Sequence, residues 1–127
     1  MNKETALALA QENFKRWADA LLTKDPKIVA GLYADDSTFL PTVSDEFKKG
    51  RAEAEQYFQH FLEKNPKGTI IDEEVQAISS NCYLHSGMYN FELTQGKVEA
   101  RFTFVWQKNE QGEWQIIHHH SSVKPEV

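Results

Sequence analysis

The sequence has a single cysteine, Cys82, so it can form neither an intrachain disulfide nor a zinc site built on a cysteine pair. No apolar run approaches the length of a membrane-spanning helix, and no membrane partner is expected. The N-terminus lacks the basic-then-apolar layout of a secretory signal, which makes the cytoplasm the expected location. Cationic charge is scarce as well: 14 Lys and Arg against 19 Asp and Glu leave a formal charge of −5. Binding a phosphate backbone draws on clustered Lys and Arg, so no nucleic-acid partner is expected either. With four prolines and six glycines, no linker or low-complexity stretch divides the chain. Residues 1–127 therefore read as one domain, long enough to bury a core without disulfides or a structural metal. Cys82 sits among apolar residues and reads as a small core residue.

What the sequence does contain is a change of period. Leu7, Ala10, Phe14, Trp17, Ala18 and Leu21 form a helical stripe with charged residues between them. Asp25-Pro26 reads as an N-cap followed by proline in the first turn of a short helix through Leu32. Tyr33 to Pro41 reads as a short extended piece and turn. A second amphipathic helix is expected from about Arg51 to Lys64, ended by Asn65-Pro66-Lys67-Gly68. After Gly68 the pattern alternates by two. Four strands are expected, near Thr69–Ser79, Cys82–Thr94, Lys97–Lys108 and Glu113–Ser122, with short hairpin turns between them. Helices followed by an antiparallel meander give an α+β fold with the helices packed on one sheet face. Strands this long imply a strongly curved sheet, expected to wrap around the Arg51–Lys64 helix.

Hairpin register sorts the strand residues into faces. Pairing Thr94 with Lys97 and Lys108 with Glu113 puts Tyr89 opposite Phe102, and Phe102 opposite His119. One face then carries His85, Gly87, Tyr89, Phe91, Phe102, Phe104, Trp106, Ile117, His119 and Ser121. It is the more aromatic and is expected to meet the helices. The other carries Leu84, Met88, Glu92, Arg101, Thr103, Val105, Trp114, Ile116, His118 and His120, a mixture suited to contact between copies of the chain. A homodimer or larger assembly is expected, because leaving that apolar patch in water is unfavourable. A one-residue bulge would swap part of the assignment.

Polar groups on an aromatic inner face must find hydrogen bonds or border a cavity. Tyr89, His85, His119 and Ser121 from the sheet are therefore the expected ligand-binding set, with Gly87 beside them leaving space. Trp17 and Tyr33, each with a polar handle, are expected at the pocket rim, whereas Phe14 and Phe58 read as core. Neutral His119 can donate or accept, and is the best placed to orient the polar group of a mostly apolar small molecule. No carboxylate can be put securely beside this set. Asp35 and Asp36 read as capping or turn residues and Glu55 as a solvated helix residue, so no catalytic residue is assigned.

The His118-His119-His120 run looks like a metal site, but neighbours in a strand point to opposite faces. Only His118 and His120 converge, and zinc wants at least three ligands. Imidazoles hydrogen-bonded within an interface are the preferred reading, and no metal or other cofactor is expected. Arg101 lies mid-strand and needs a partner, for which Glu92, diagonal to it, or an acid across a dimer interface is preferred to an anionic ligand.

Several segments resemble a known family. Trp17-Ala18-Asp19-Ala20-Leu21, Leu32-Tyr33-Ala34-Asp35-Asp36 after Asp25-Pro26, and Leu40-Pro41 resemble the opening of SnoaL-like and hub-like members of the NTF2-like superfamily. Gly50-Arg51-Ala52-Glu53 and Tyr57-Phe58 resemble their second long helix. The closing Trp114-Gln115-Ile116-Ile117-His118-His119-His120 resembles the ending of the calcium/calmodulin-dependent protein kinase II association (hub) domain. The resemblance covers nearly the whole chain. It implies a cone of curved sheet and helix with a pocket at the open end, and self-association through the outer sheet face. It implies a free-standing relative of the kinase hub or, alternatively, a SnoaL-like enzyme doing acid–base chemistry on an apolar carbonyl compound. The hub holds small carboxylates with pocket arginines. Those positions fall here near Gly87, Phe104 and Ser121, none of them basic.

Overall fold

The computed structural model describes all 127 residues. The first helix, α1 (Lys3–Leu22), starts where Asn2 accepts a hydrogen bond from the Thr5 backbone N–H at 2.8 Å, as an N-cap does. Asp25 caps α2 (Pro26–Ala30) through the Lys27 N–H, with proline in the first turn. Strand β1 (Tyr33–Leu40) and the two-residue β2 (Lys48–Lys49) follow, then α3 (Arg51–Phe61) and a single 3-10 turn, Leu62–Lys64. Gly50 opens α3 at φ 86°, a left-handed position that suits glycine. The meander is β3 (Lys67–Ser79), β4 (Cys82–Leu93), β5 (Gly96–Lys108) and β6 (Trp114–Val123).

All six strands share one curved, unclosed sheet in the order β2-β1-β6-β5-β4-β3. Two strands exceed expectation here: the segment read as an extended piece and turn is β1, paired parallel to β6, and β2 extends the sheet beyond it. The helix lying on the long strands is α1, against β3 and β4, whereas α3 packs on α2 and β1. This corrects the expectation that the sheet wraps around Arg51–Lys64. The reason is side-chain size: Phe14 and Trp17 on α1 reach Tyr89, Phe102 and Phe104 across the concave face. No helix is long and apolar enough to cross a membrane.

The β4–β5 register is displaced by two residues from expectation, with Tyr89 opposite Ala100 and Gly87 opposite Phe102. A displacement of two leaves every side chain on its expected face. Between β5 and β6 two further offsets of one residue each add up to two, which again restores the faces. The turn is one residue longer than expected, so Lys108 pairs with Trp114 rather than Glu113. The Asn109 side chain holds it, accepting from the backbone N–H groups of Gln111 and Glu113, each at 2.9 Å. A bulge at Ile117 then restores parity, since Trp106 pairs with Ile116 but Val105 with His118. Trp114 and Ile116, expected outside, are therefore inside: Ile116 is fully buried and Trp114 lies against Tyr83 at 5.3 Å. Ile117, expected inside, is the extra residue of the bulge, while His119 and Ser121 stay on the concave face.

Three smaller expectations also change. Cys82 is only partly buried and alternates onto the convex face with Leu84 and Met88. Arg101 is exposed opposite Met88 and makes no ion pair with Glu92, which lies opposite Lys97. Gly87 does not leave space for a ligand. A Cβ there would stand 2.1 Å from the Asp72 carbonyl oxygen, because β3 bulges between Ile70 and Asp72 and passes against it.

Candidate functional site

The concave face ends in a chain of hydrogen bonds running from α1 to the loop after β1. The Trp17 indole N–H donates to the Tyr33 hydroxyl at 3.1 Å. Tyr33 lies 2.8 Å from Nδ1 of His119, and Tyr89 3.2 Å from its Nε2. Tyr89 is bonded in turn to the Ser121 hydroxyl, and Ser121 to the Thr42 hydroxyl. The imidazole of His119 is stacked between Phe104 at 4.0 Å and Phe39 at 4.7 Å. Five of the six residues expected from sequence to bind a ligand, Tyr89, His119, Ser121, Trp17 and Tyr33, therefore meet in one network.

Their placement differs from expectation in two respects. Trp17 and Tyr33 are not at a rim but at the deepest point, 1% and 0% exposed. His85 is not in the network. It lies on the far side of Phe102 and Phe104, with Nε2 2.9 Å from a Glu73 carboxylate oxygen. His118 bonds Thr38 at 2.8 Å on the outer side of β6, and His120 beside it is exposed.

Burial makes the network neutral. It drives the His119 pKa well below the ordinary histidine value, with neighbouring His118 and His120 adding to the effect. It also pushes the Tyr33 and Tyr89 hydroxyls well above theirs, the effect partly offset by the bonds from Trp17 and to Ser121. A neutral imidazole between two protonated phenols binds polar groups by hydrogen bonding, not by charge.

A cleft of about 610 Å³ opens on the other side of Thr42. Tyr57 and Phe61, one turn apart on α3, form one wall, and Phe91, Leu93 and Val98 the other. Thr42, Tyr57, Phe61 and Phe91 border both this cleft and the space of about 10 Å³ above His119 and Ser121, enough for one water at most. The turn after β1 presents Thr42: Tyr57 donates to the Thr42 carbonyl at 3.3 Å, and Val43 takes a left-handed φ of 56°. Near the mouth, the largely buried Lys48 pairs with Glu46 at 2.6 Å, which holds the Glu46 carboxyl below its ordinary pKa. Sequence reasoning missed Thr42 and Lys48, which sit in an irregular loop and a two-residue strand with no period to read. Tyr57 and Phe61 carried a signal, an aromatic pair at helical spacing on the second amphipathic helix, but were given no part in the site.

The comparisons with known proteins agree with this architecture. The sequence model of the calcium/calmodulin dependent protein kinase II association domain matches residues 10–125. A solved structure of a protein assigned to that association domain, from Xanthomonas campestris, superposes with a TM-score of 0.88 at 43% identity, covering 93% of this chain and 87% of the other. An NTF2-like protein of unknown function from Pseudomonas putida KT2440 superposes with a TM-score of 0.82 at 18% identity, over 99% and 92% of the two chains. A protein assigned as a ketosteroid isomerase from Parabacteroides distasonis gives 0.71 at 18% identity, over 87% and 84%. At that identity the last two show the fold alone. None of the curated proteins matches the chain in sequence.

Proposed function

Because the chain belongs to the calcium/calmodulin dependent protein kinase II association domain family, we propose that it is a self-associating NTF2-like domain that binds a small, mostly apolar molecule in the cleft beyond Thr42. The observation that carries the binding reading is the neutral Trp17–Tyr33–His119–Tyr89–Ser121–Thr42 network, which ends at Thr42 on a cleft walled by Tyr57, Phe61 and Phe91. The alternative, acid–base catalysis on a carbonyl compound, asks for a carboxylate beside His119 or Tyr89. No acid borders the inner space, and Glu46 in the outer cleft is already held by Lys48. Asp35 is exposed and pairs with Arg51 at 3.0 Å.

Self-association uses the convex face. Leu84, Met88 and Val105 are neighbours there in the register of β4 and β5, with Arg101 and His120 at the same surface. Light scattering at micromolar concentration is expected to show no dominant monomer. A paired substitution separates the two roles. His119→Ala is expected to weaken binding of 2-acetonaphthone, read by quenching of tryptophan fluorescence, and to leave the assembly intact. His120→Ala is expected to disturb assembly first. A stable wild-type monomer would overturn the association half of the proposal, and wild-type protein that ignores the naphthyl ketone would overturn the binding half.

A further inference from the structure

The network that reaches the cleft at Thr42 has more protons than bonds, and the surplus decides what the cleft recognises. Trp17, Tyr33, His119, Tyr89, Ser121 and Thr42 are joined end to end by five hydrogen bonds. A neutral imidazole carries one ring proton, so these six side chains bring six N–H or O–H protons to five bonds. One proton has no partner inside the network.

Its position follows from the end that cannot reverse. Trp17 is a donor only, so its N–H points at the Tyr33 oxygen. Tyr33 then satisfies its own proton by donating to Nδ1 of His119. With Nδ1 accepting, His119 is the Nε2–H tautomer and donates to Tyr89. Tyr89 donates to Ser121, and Ser121 to Thr42. Reversing any later link strands a proton on Tyr33, Tyr89 or Ser121, none of which lines the cleft. A stranded donor of that kind costs about 1–3 kcal/mol. Thr42 is itself only 6% exposed, but it lines the cleft, where solvent or a ligand can accept its proton, and this favours the arrangement that ends there. No other member of the network lines the cleft.

We infer that the cleft presents a hydrogen-bond donor, the Thr42 hydroxyl, with its direction set by Trp17 at the opposite end of the network. The ligand of the cleft accordingly carries an acceptor oxygen, a carbonyl, on an apolar body seated against Tyr57, Phe61 and Phe91. This specificity rests on the small-molecule reading above. Thr42 reads the acceptor directly, whereas Trp17, Tyr33 and His119 are positioning residues that keep its proton facing the cleft.

Two measurements test the inference. Long-range proton–nitrogen correlation on the ¹⁵N-labelled protein is expected to show His119 with Nε2 protonated and Nδ1 bare. In Trp17→Phe, which frees the Tyr33 oxygen from its fixed donor, the two tautomers are expected to mix. Binding is then compared for 2-acetonaphthone and 2-ethylnaphthalene, which differ by the carbonyl oxygen. One neutral hydrogen bond of about 1 kcal/mol predicts that Thr42→Val, which keeps the shape and removes the donor, lowers the ketone-to-hydrocarbon affinity ratio about fivefold. An Nδ1–H tautomer in the wild type, or a ratio unchanged in Thr42→Val, overturns the inference while leaving the cleft a binding site. If neither probe binds the wild type, the small-molecule reading falls and the specificity falls with it.

Discussion

Gly87 shows how a correct residue can carry a wrong reason. A glycine beside polar side chains on a concave face reads as vacated space, but the space is filled by the backbone of a neighbouring strand. A Cβ at Gly87 meets Asp72 and Glu73 main-chain atoms within 3.0 Å, and backbone cannot swing aside as a side chain does. Overpacking of this kind typically costs about 1–3 kcal/mol. Gly87→Ala is therefore expected to lower stability by about 3 kcal/mol in urea unfolding, and a loss near zero would show that the β3 bulge is free to move. The site residues themselves were more legible. Tyr89 on β4 and His119 and Ser121 on β6 face the same side of the sheet across β5 and cannot be buried unsatisfied. Trp17 and Tyr33 were recognisable as partners but not as the deepest ones, since the polar handle that suggested a rim is used for a bond inside the core.

Among the elements, helices announced themselves and register did not. Stripe and cap fix α1 and α2 within a few residues, because both signals are local. The arrival of β1 beside β6 depends on pairing between residues some eighty positions apart, which no local pattern reports. The β5–β6 hairpin is the instructive case. Its turn gains a residue because Asn109 organises the loop, and its strand gains one at Ile117, so the faces of His119 and Ser121 came out as expected through two offsets that add up to two. Trp114 and Ile116, lying between the offsets, did not. The turn has its own test. Asn109→Ala removes two side-chain bonds to exposed backbone N–H groups and is expected to cost about 1 kcal/mol. Hydrogen exchange confined to the hairpin would faster report it locally, with the amides of Gln111 and Glu113 losing protection first; unchanged exchange there would mean that the strands alone set the loop length.

At the scale of the whole molecule, the fold's acid response follows from where it keeps its histidines. His85 and His119 are buried, and His118 is partly so; burial is the leading cause that lowers the pKa of each from the ordinary 6.5. For His85 the Glu73 carboxylate pulls the other way without prevailing. A histidine with a depressed folded pKa binds fewer protons folded than unfolded once the pH drops below the unfolded value. Its neutral form supports the fold above that value, and the support is lost as the pH falls towards the folded pKa. Stability is thus expected to be flat in this respect above pH 6.5 and to decline below it. Each buried histidine adds a slope of up to about 1.4 kcal/mol per pH unit. His119, the most strongly shifted, carries the decline furthest into acid. Urea unfolding at a series of pH values separates this from the general titration of carboxylates, which begins lower. His119→Gln is expected to be less stable than wild type at neutral pH but to lose less on acidification, so the two curves converge. Parallel curves for wild type and His119→Gln would mean that His119 titrates normally in the folded protein, and that the core around it admits a charge.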